Sequence, residues 1–254
     1  MRVQDVLTAL ERWAPASTAE EWDNVGLLAG DGEALVSGIV VTLDVTEEAQ
    51  RFAGLHGANL LVSHHPLIFH PLRRLTSGGA AYRLAAAGMH TIAMHTNLDK
   101  AAGGVNDVLA SLLGLCDVHT LSDGLFRIGR LPQRMEADAF ASLVSERLET
   151  AVRYARGTRG GIQTVGVCGG AGGDGMDTVL KQADAFVTGE LRHHEWLEAV
   201  GSGAAVIEAG HYATEAPVVN AVADRLQKLF PEAKVFAYTG RCPYHTTGTD
   251  RADD

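Results

Sequence analysis

The chain has 254 residues, 46% hydrophobic and 20% charged, with a formal net charge of −10; it is long enough for one large or two smaller domains and apolar enough for a sizeable core. The acidic balance, with no basic block, argues against a sequence-independent nucleic-acid surface, which needs clustered Lys and Arg, and no apolar run approaches the roughly 20 residues of a membrane span. Three scattered cysteines without a C-x-x-C pair, and an N-terminus without a signal-peptide core, point to a soluble cytoplasmic protein.

Val3, Val6, Leu7, Leu10 and Trp13 fall on one helical face, and Pro15 stops that helix. The stretch from Glu21 to Leu28 begins polar and ends apolar, which predicts a turn into a short strand, with Asn24 as a turn residue or a hydrogen-bonder near a site. A strand over 38–44 follows, then a helix from Glu47 to Leu55 with Thr46 as N-cap. The run Leu60-Leu61-Val62-Ser63 is a buried strand by composition, and it delivers His64, His65 and Pro66. Proline cannot continue a central strand, so the chain must turn there. After a loop over 68–75 come an alanine-rich helix from Ala80 to Ala87 closed by Gly88, a strand over 89–94 that delivers His95 and Asp99, and a helix from Val105 to Leu113.

A strand and turn are expected over 124–132, a helix over 137–148 and a basic surface strand and turn over 153–161. Alternation then restarts. Strands at 162–167, 185–188 and 204–207 end at a glycine cluster (Gly169 to Gly175), at Gly189-Glu190 and at Glu208 to His211. Helices are expected over 176–183, 193–200 and 216–229, the last opened by Pro217, and a final strand over 234–238 precedes a polar tail.

The two halves echo each other. Strands end at Asp44, His64 and His95 in the first and near Gly169, Glu190 and His211 in the second. His95-x-x-x-Asp99 matches His211-x-x-x-Glu215 in spacing. Chemistry in α/β proteins gathers beyond the carboxyl ends of strands, and pseudo-repeated lobes would present these groups to a shared cleft. His64-His65 alone could be metal ligands or a structural pair at a strand end. With His95, Asp99, His211, Glu215 and Glu190 added, the set offers imidazole and carboxylate, which suits Zn, Mn, Fe, Co or Ni. It exceeds the needs of one zinc and suits two metals about 3.5–4 Å apart, which lower the pKa of a bridging water; hydrolysis is the default reaction class. His56, His70, His90, His119, His193, His194 and His245 read as surface or loop histidines. The glycine cluster has no Walker lysine and reads as a tight turn more readily than as a phosphate cradle. Ser63 has no nucleophile-elbow motif behind it.

Five segments carry a resemblance: Ser63-His64-His65-Pro66-Leu67-Ile68-Phe69, His95-Thr96-Asn97-Leu98-Asp99, Thr188-Gly189-Glu190, Gly210-His211-Tyr212-Ala213-Thr214-Glu215 and Trp22-Asp23-Asn24-Val25-Gly26-Leu27. Together with Val167 to Gly172 they resemble the signature segments of the NIF-three-like family, whose members are commonly named homologs of GTP cyclohydrolase I type 2. The resemblance runs from about residue 3 to about residue 240 and is to the short form, without an inserted middle domain. It implies an α/β fold of two interlocked, pseudo-repeated lobes with mixed sheets, a dinuclear metal site between them and a toroidal homohexamer of stacked trimers. We place the lobes at 1–124 and 125–254, with the C-terminal segment packing back on the first.

By matching motif positions the metal ligands are His64, His65, Asp99, His211 and Glu215, with Asp99 or Glu215 as bridge. They would hold two divalent transition-metal ions per chain. His95 is an extra ligand or proton carrier, and Glu190 a base; these two are the candidate catalytic residues. The expected activity is hydrolysis of GTP, another nucleotide or a related small molecule, and the contrasting reading is a non-catalytic metal-binding ring protein: a metallochaperone, or a regulatory or repair scaffold. No membrane or nucleic-acid partner is expected.

Overall fold

The computed structural model describes residues 1–122 and 124–245; the polar tail beyond residue 245 lies outside them. Among the described residues, chain contacts divide the protein into two compact units, residues 1–104 with 218–241, and residues 105–217 with 242–245. These bounds differ from a division at 124/125: the first unit ends some twenty residues earlier and takes back a C-terminal segment.

The first unit is built on a five-stranded mixed sheet. Its strands are β1 (Gly26–Ala29), β2 (Ile39–Thr42), β3 (Leu60–Ser63), β4 (His90–Ala93) and β11 (Val235–Tyr238), in the order β1-β4-β3-β2-β11. The last four are parallel, and β1 joins β4 antiparallel. Helices α1 (Val3–Trp13), α2 (Glu47–Leu55), α3 (Ala80–Ala86), the five-residue α4 (Thr96–Lys100) and α10 (Val218–Leu229) complete it. Every residue of β2 and β3 is buried, as expected where both faces of a parallel sheet are covered. Val40 and Leu61 pack with Ala49, Ala53 and Leu84 on one face. Val41, Val62 and Met94 meet Val218, Val219 and Val222 on the other. The Thr46 hydroxyl accepts the Ala49 amide at 3.1 Å, the expected cap of α2.

The second unit carries a six-stranded mixed sheet of β5 (Cys116–Thr120), β6 (Arg127–Met135), β7 (Arg153–Ala155), β8 (Ile162–Cys168), β9 (Ala185–Thr188) and β10 (Ala205–Glu208), in the order β5-β6-β8-β9-β10-β7. The three strands β8, β9 and β10 run parallel, and the outer ones are antiparallel. Helices α5 (Val105–Leu112) and α6 (Ala137–Arg147) belong to one face, where Leu109, Phe140 and Val144 pack with Val165, Val187 and Ile207. On the other face α7 (Met176–Leu180) and α8 (His193–Ser202) bring Val179 and Ala199 against Phe186 and Val206. Gly166 is needed there, because a Cβ on it would sit 2.0 Å from Val179 Cγ1. The short α9 (His211–Glu215) follows β10.

The echo between the halves is present in the topology. β2-β3-β4 and β8-β9-β10 are each a parallel triple, and each third strand runs into a five-residue helix that carries a buried carboxylate, Asp99 on α4 and Glu215 on α9.

Four elements depart from expectation. β5 is exposed along its whole length, and its brief alternation of Cys116 and Val118 with Asp117 and His119 is too short and too polar to mark it as a strand. β6 runs past Pro132, because pairing with β8 shifts register between Arg130 and Met135 and the ladder asks no amide of the proline. α4 and α9 are too short to show a helical period. Among the described residues no helix is long and apolar enough to cross a membrane.

Candidate metal centre

In the first unit, aligned strand ends deliver the donors. Thr42 is paired with Ser63, and Ser63 with Ala93, so the three chains leave the sheet at one edge. The ladder extends one step further, with the His64 and His65 amides bonding the Thr42 and Leu43 carbonyls and the Met94 amide bonding the Ser63 carbonyl. That pairing fixes the backbone beneath His64, His65 and His95. One ring nitrogen from each of the three lies within 4.8 Å of the others. His64 is buried, its Nε2 is 3.7 Å from Asp99 Oδ1, and Asp99 itself is buried on α4.

Each ring is oriented through its Nδ1. His64 Nδ1 is 2.9 Å from the Met94 carbonyl oxygen, His65 Nδ1 is 2.8 Å from Asp44 Oδ1, and His95 Nδ1 is 2.8 Å from Asp23 Oδ1. A carbonyl or an ionised carboxylate only accepts, so Nδ1 carries the hydrogen and, in the neutral ring, Nε2 carries the lone pair. This is the arrangement by which proteins hold a metal-ligating imidazole. The side chain of Asp23 is shielded from solvent and also accepts from the Thr96 amide and hydroxyl, at 3.0 and 2.5 Å. Burial pushes its carboxyl up, but the hydrogen bonds from His95 and Thr96 and the attraction of the imidazole outweigh it, and the pKa falls to about 2.

The second unit carries a matching set. Thr188 pairs with Cys168 on one side and Glu208 on the other. Beyond those ends the Gly210 amide bonds the Gly189 carbonyl and the Glu190 amide bonds the Gly170 carbonyl. His211 Nδ1 is 2.8 Å from Glu190 Oε1, and His211 Nε2 is 3.0 Å from Glu215 Oε2. With Nδ1–H given to Glu190, that short approach brings a nitrogen lone pair against a buried carboxylate. A shared cation would relieve the repulsion, and the donor chemistry of the two sets fits a borderline divalent metal.

The glycine cluster belongs to this framework. The Gly169 amide is given to Asn106 Oδ1, Gly170 to Thr214 Oγ1 and Gly172 to Thr188 Oγ1. Those amides therefore serve the fold rather than a phosphate. Gly170 has φ +61°, and a Cβ there would lie 2.1 Å from Glu215 Oε1; one on Gly189 would lie 2.9 Å from His211 Cα. Glycine here makes room for His211 and Glu215.

His64, His65 and His95 are thus brought together, Asp99 beside His64, and Glu190 and Glu215 on the two nitrogens of His211. Glu190, expected as a base, has an oxygen on His211 Nδ1 and orients that ring. Asn24 donates to the Ile68 carbonyl at 2.6 Å and ties down the segment after Pro66. Ser63 Oγ bonds the His65 carbonyl, which leaves it a structural hydroxyl. His193 and His194 are exposed on α8. Two residues that orient the rings, Asp23 and Asp44, had no role assigned from sequence. Their signals were the Trp22-Asp23-Asn24 segment and the position of Asp44 just past a strand that ends level with His64.

Two mixed sheets, whose parallel strand ends present three oriented imidazoles in the first unit and one in the second, each with a buried carboxylate, define an α/β protein with side chains that could hold metal. Residues 1–241 match the sequence profile of Duf34/NIF3 (NGG1p interacting factor 3), and the chain belongs to that family. It is 33% identical over 247 residues to the GTP cyclohydrolase 1 type 2 homolog of Lactococcus lactis, covering 93% of this chain and 95% of the relative. It is 35% identical to NIF3-like protein 1 of Drosophila melanogaster, covering 83% of this chain and 76% of that one. Among solved structures, a Staphylococcus aureus hypothetical protein superposes with TM-score 0.90 at 29% identity, over 97% of this chain and 99% of that one. A Bacillus cereus protein related to NIF3 shares the fold, with TM-score 0.90 at 21% identity over 97% and 99%.

Proposed function

We propose that this protein is a dinuclear metal-dependent hydrolase acting on a nucleotide or a related small molecule, with His64, His65, Asp99, His211 and Glu215 as metal ligands. The observation that carries the reading is the common treatment of His64, His65, His95 and His211. Each Nδ1 is held by an oxygen, and the Nε2 of His64 and of His211 is directed at a buried carboxylate. Two divalent ions of Zn, Mn, Fe, Co or Ni held by this set would supply Lewis-acid polarisation and lower the pKa of bound water. The chain's own residues do the rest. Asp23 holds His95 so that its Nε2 can take up and return a proton. Glu190 and Asp44 keep His211 and His65 in the ligating tautomer. Relatives named GTP cyclohydrolase 1 type 2 homolog make purine ring opening the first reaction to try. A cytoplasmic toroidal homohexamer is the assembly we propose.

The test is metal content per chain by elemental analysis of untagged protein prepared without chelator, followed by release of formate from GTP. About two transition-metal ions per chain and metal-dependent turnover are expected. Negligible metal that none of Mn, Zn, Fe, Co or Ni restores would sink the reading. Stoichiometric loading without turnover on a broad substrate panel would leave a metal-binding ring protein instead.

A further inference from the structure

Two exposed aromatic side chains stand together beside the imidazole cluster. Trp22 is 60% exposed and Phe69 41% exposed. Their ring centroids are 5.7 Å apart at 48°, and each lies near His95, at 6.1 Å for Trp22 and 6.2 Å for Phe69, both edge-on. Neither sits on a slack loop. Asp23, next to Trp22, is fixed by His95 and by both donors of Thr96. Asn24 ties the same segment to the carbonyl of Ile68, the residue before Phe69. One hydrogen bond therefore couples the two backbones that carry the rings, and both are anchored to the residues that orient the histidines.

We propose that Trp22 and Phe69 form the stacking platform of the substrate site and select a planar heteroaromatic ring, such as a nucleobase, whose edge then faces His95. This rests on the metal-hydrolase reading and adds the group that recognises the ligand. Aromatic faces hold bases by stacking without reading their edges, and an exposed tryptophan beside a phenylalanine offers such a face at little conformational cost. A surface meant only for another protein chain would have no reason to share its hydrogen-bonded anchor, Asp23, with the imidazole of His95 and the amide and hydroxyl of Thr96. The platform therefore belongs to the chemistry at His95.

The experiment measures binding of GTP, ATP and FMN, with ribose 5-phosphate as the non-aromatic control, to the metal-loaded full-length protein by titration calorimetry. The variants are Trp22→Ala, Phe69→Ala and Trp22→Phe; metal content and oligomer size are recorded for each. The wild type should bind at least one aromatic probe more tightly than ribose 5-phosphate. Trp22→Ala should weaken that binding by roughly ten- to a hundred-fold, the range of a lost base–aromatic stack, Phe69→Ala by less, and Trp22→Phe should restore most of it. Metal content and size should stay at wild-type values in all three. Equal affinity in Trp22→Ala and wild type, or no preference for any aromatic probe, overturns the proposal. A change of oligomer size in Trp22→Ala does so too, by assigning the pair to a subunit interface. Loss of metal in the wild type itself would instead refute the reading beneath.

Discussion

Replacing Gly170 by Ala tests whether Glu215 is a metal ligand without touching any donor atom. The backbone at Gly170 has φ +61°, and the added Cβ would lie 2.1 Å from Glu215 Oε1. Left-handed backbone costs an L residue about 1–2 kcal/mol, and about 1 kcal/mol lowers Tm by roughly 2–4 °C in a chain of this size. The melting point should therefore fall by roughly 2–8 °C and the fold should survive. The carboxylate must also retreat by about 1 Å to reach ordinary contact, several times the roughly 0.2 Å tolerance of a metal–ligand bond. Metal content should drop sharply. Gly175→Ala is the control: φ is +81°, the nearest atom to its Cβ is Phe126 Cε2 at 3.3 Å, and no carboxylate is displaced. It should lose similar stability and keep its metal. Thermal melts and elemental analysis on both variants decide the matter. Unchanged metal in Gly170→Ala, or equal loss in both, refutes the argument.

His64→Ala should abolish most metal binding while circular dichroism stays native, and His194→Ala, on the exposed start of α8, should leave metal content as it was; the reverse pattern would show that the wrong histidines were chosen. Asp23 has a folded pKa of about 2 against an ordinary 3.8, so its stabilisation is fully present above pH 4 and is lost as pH falls toward 2. The Tm gap between wild type and Asp23→Asn, both stripped of metal, should close across that window, and a constant gap would refute the assignment. Thr46→Ala removes the cap on the Ala49 amide and should cost about 1 kcal/mol, read as a Tm lower by roughly 2–4 °C; no change would mean that water replaces the hydroxyl.

The parts legible in the sequence are those written as burial. Leu60 to Ser63 and Ala185 to Thr188 are continuous apolar runs because both faces of their sheets are covered, and the helices with a long apolar stripe, such as Val3–Trp13 and Val218–Leu229, show their period. The imidazoles were legible because they lie just past such runs, and Asp99 and Glu215 because they stand at the same spacing after His95 and His211. Asp23 was not, since its partner His95 lies 72 residues away and no local pattern records a contact at that range. Cys116–Thr120 escaped for the opposite reason: an exposed edge strand asks nothing of its side chains. The glycines at 169, 170 and 172 suggested a turn, but only the atoms around Gly170 show that it clears space for a carboxylate and an imidazole.

The division of the chain also sets an order of synthesis. Residues 105–217 supply all six strands of the second sheet without interruption, whereas the first sheet waits for β11, which pairs with β2 across nearly the whole sequence. Until residues 235–238 leave the ribosome, β2 is an open edge, and until 218–229 do, the face carrying Val41 and Val62 is bare. Unpaired edges and uncovered apolar faces are where nascent chains aggregate. The early histidines His64, His65 and His95 thus spend the whole of translation in an unfinished half, and a stop codon anywhere after residue 104 and before residue 235 leaves that half unable to close.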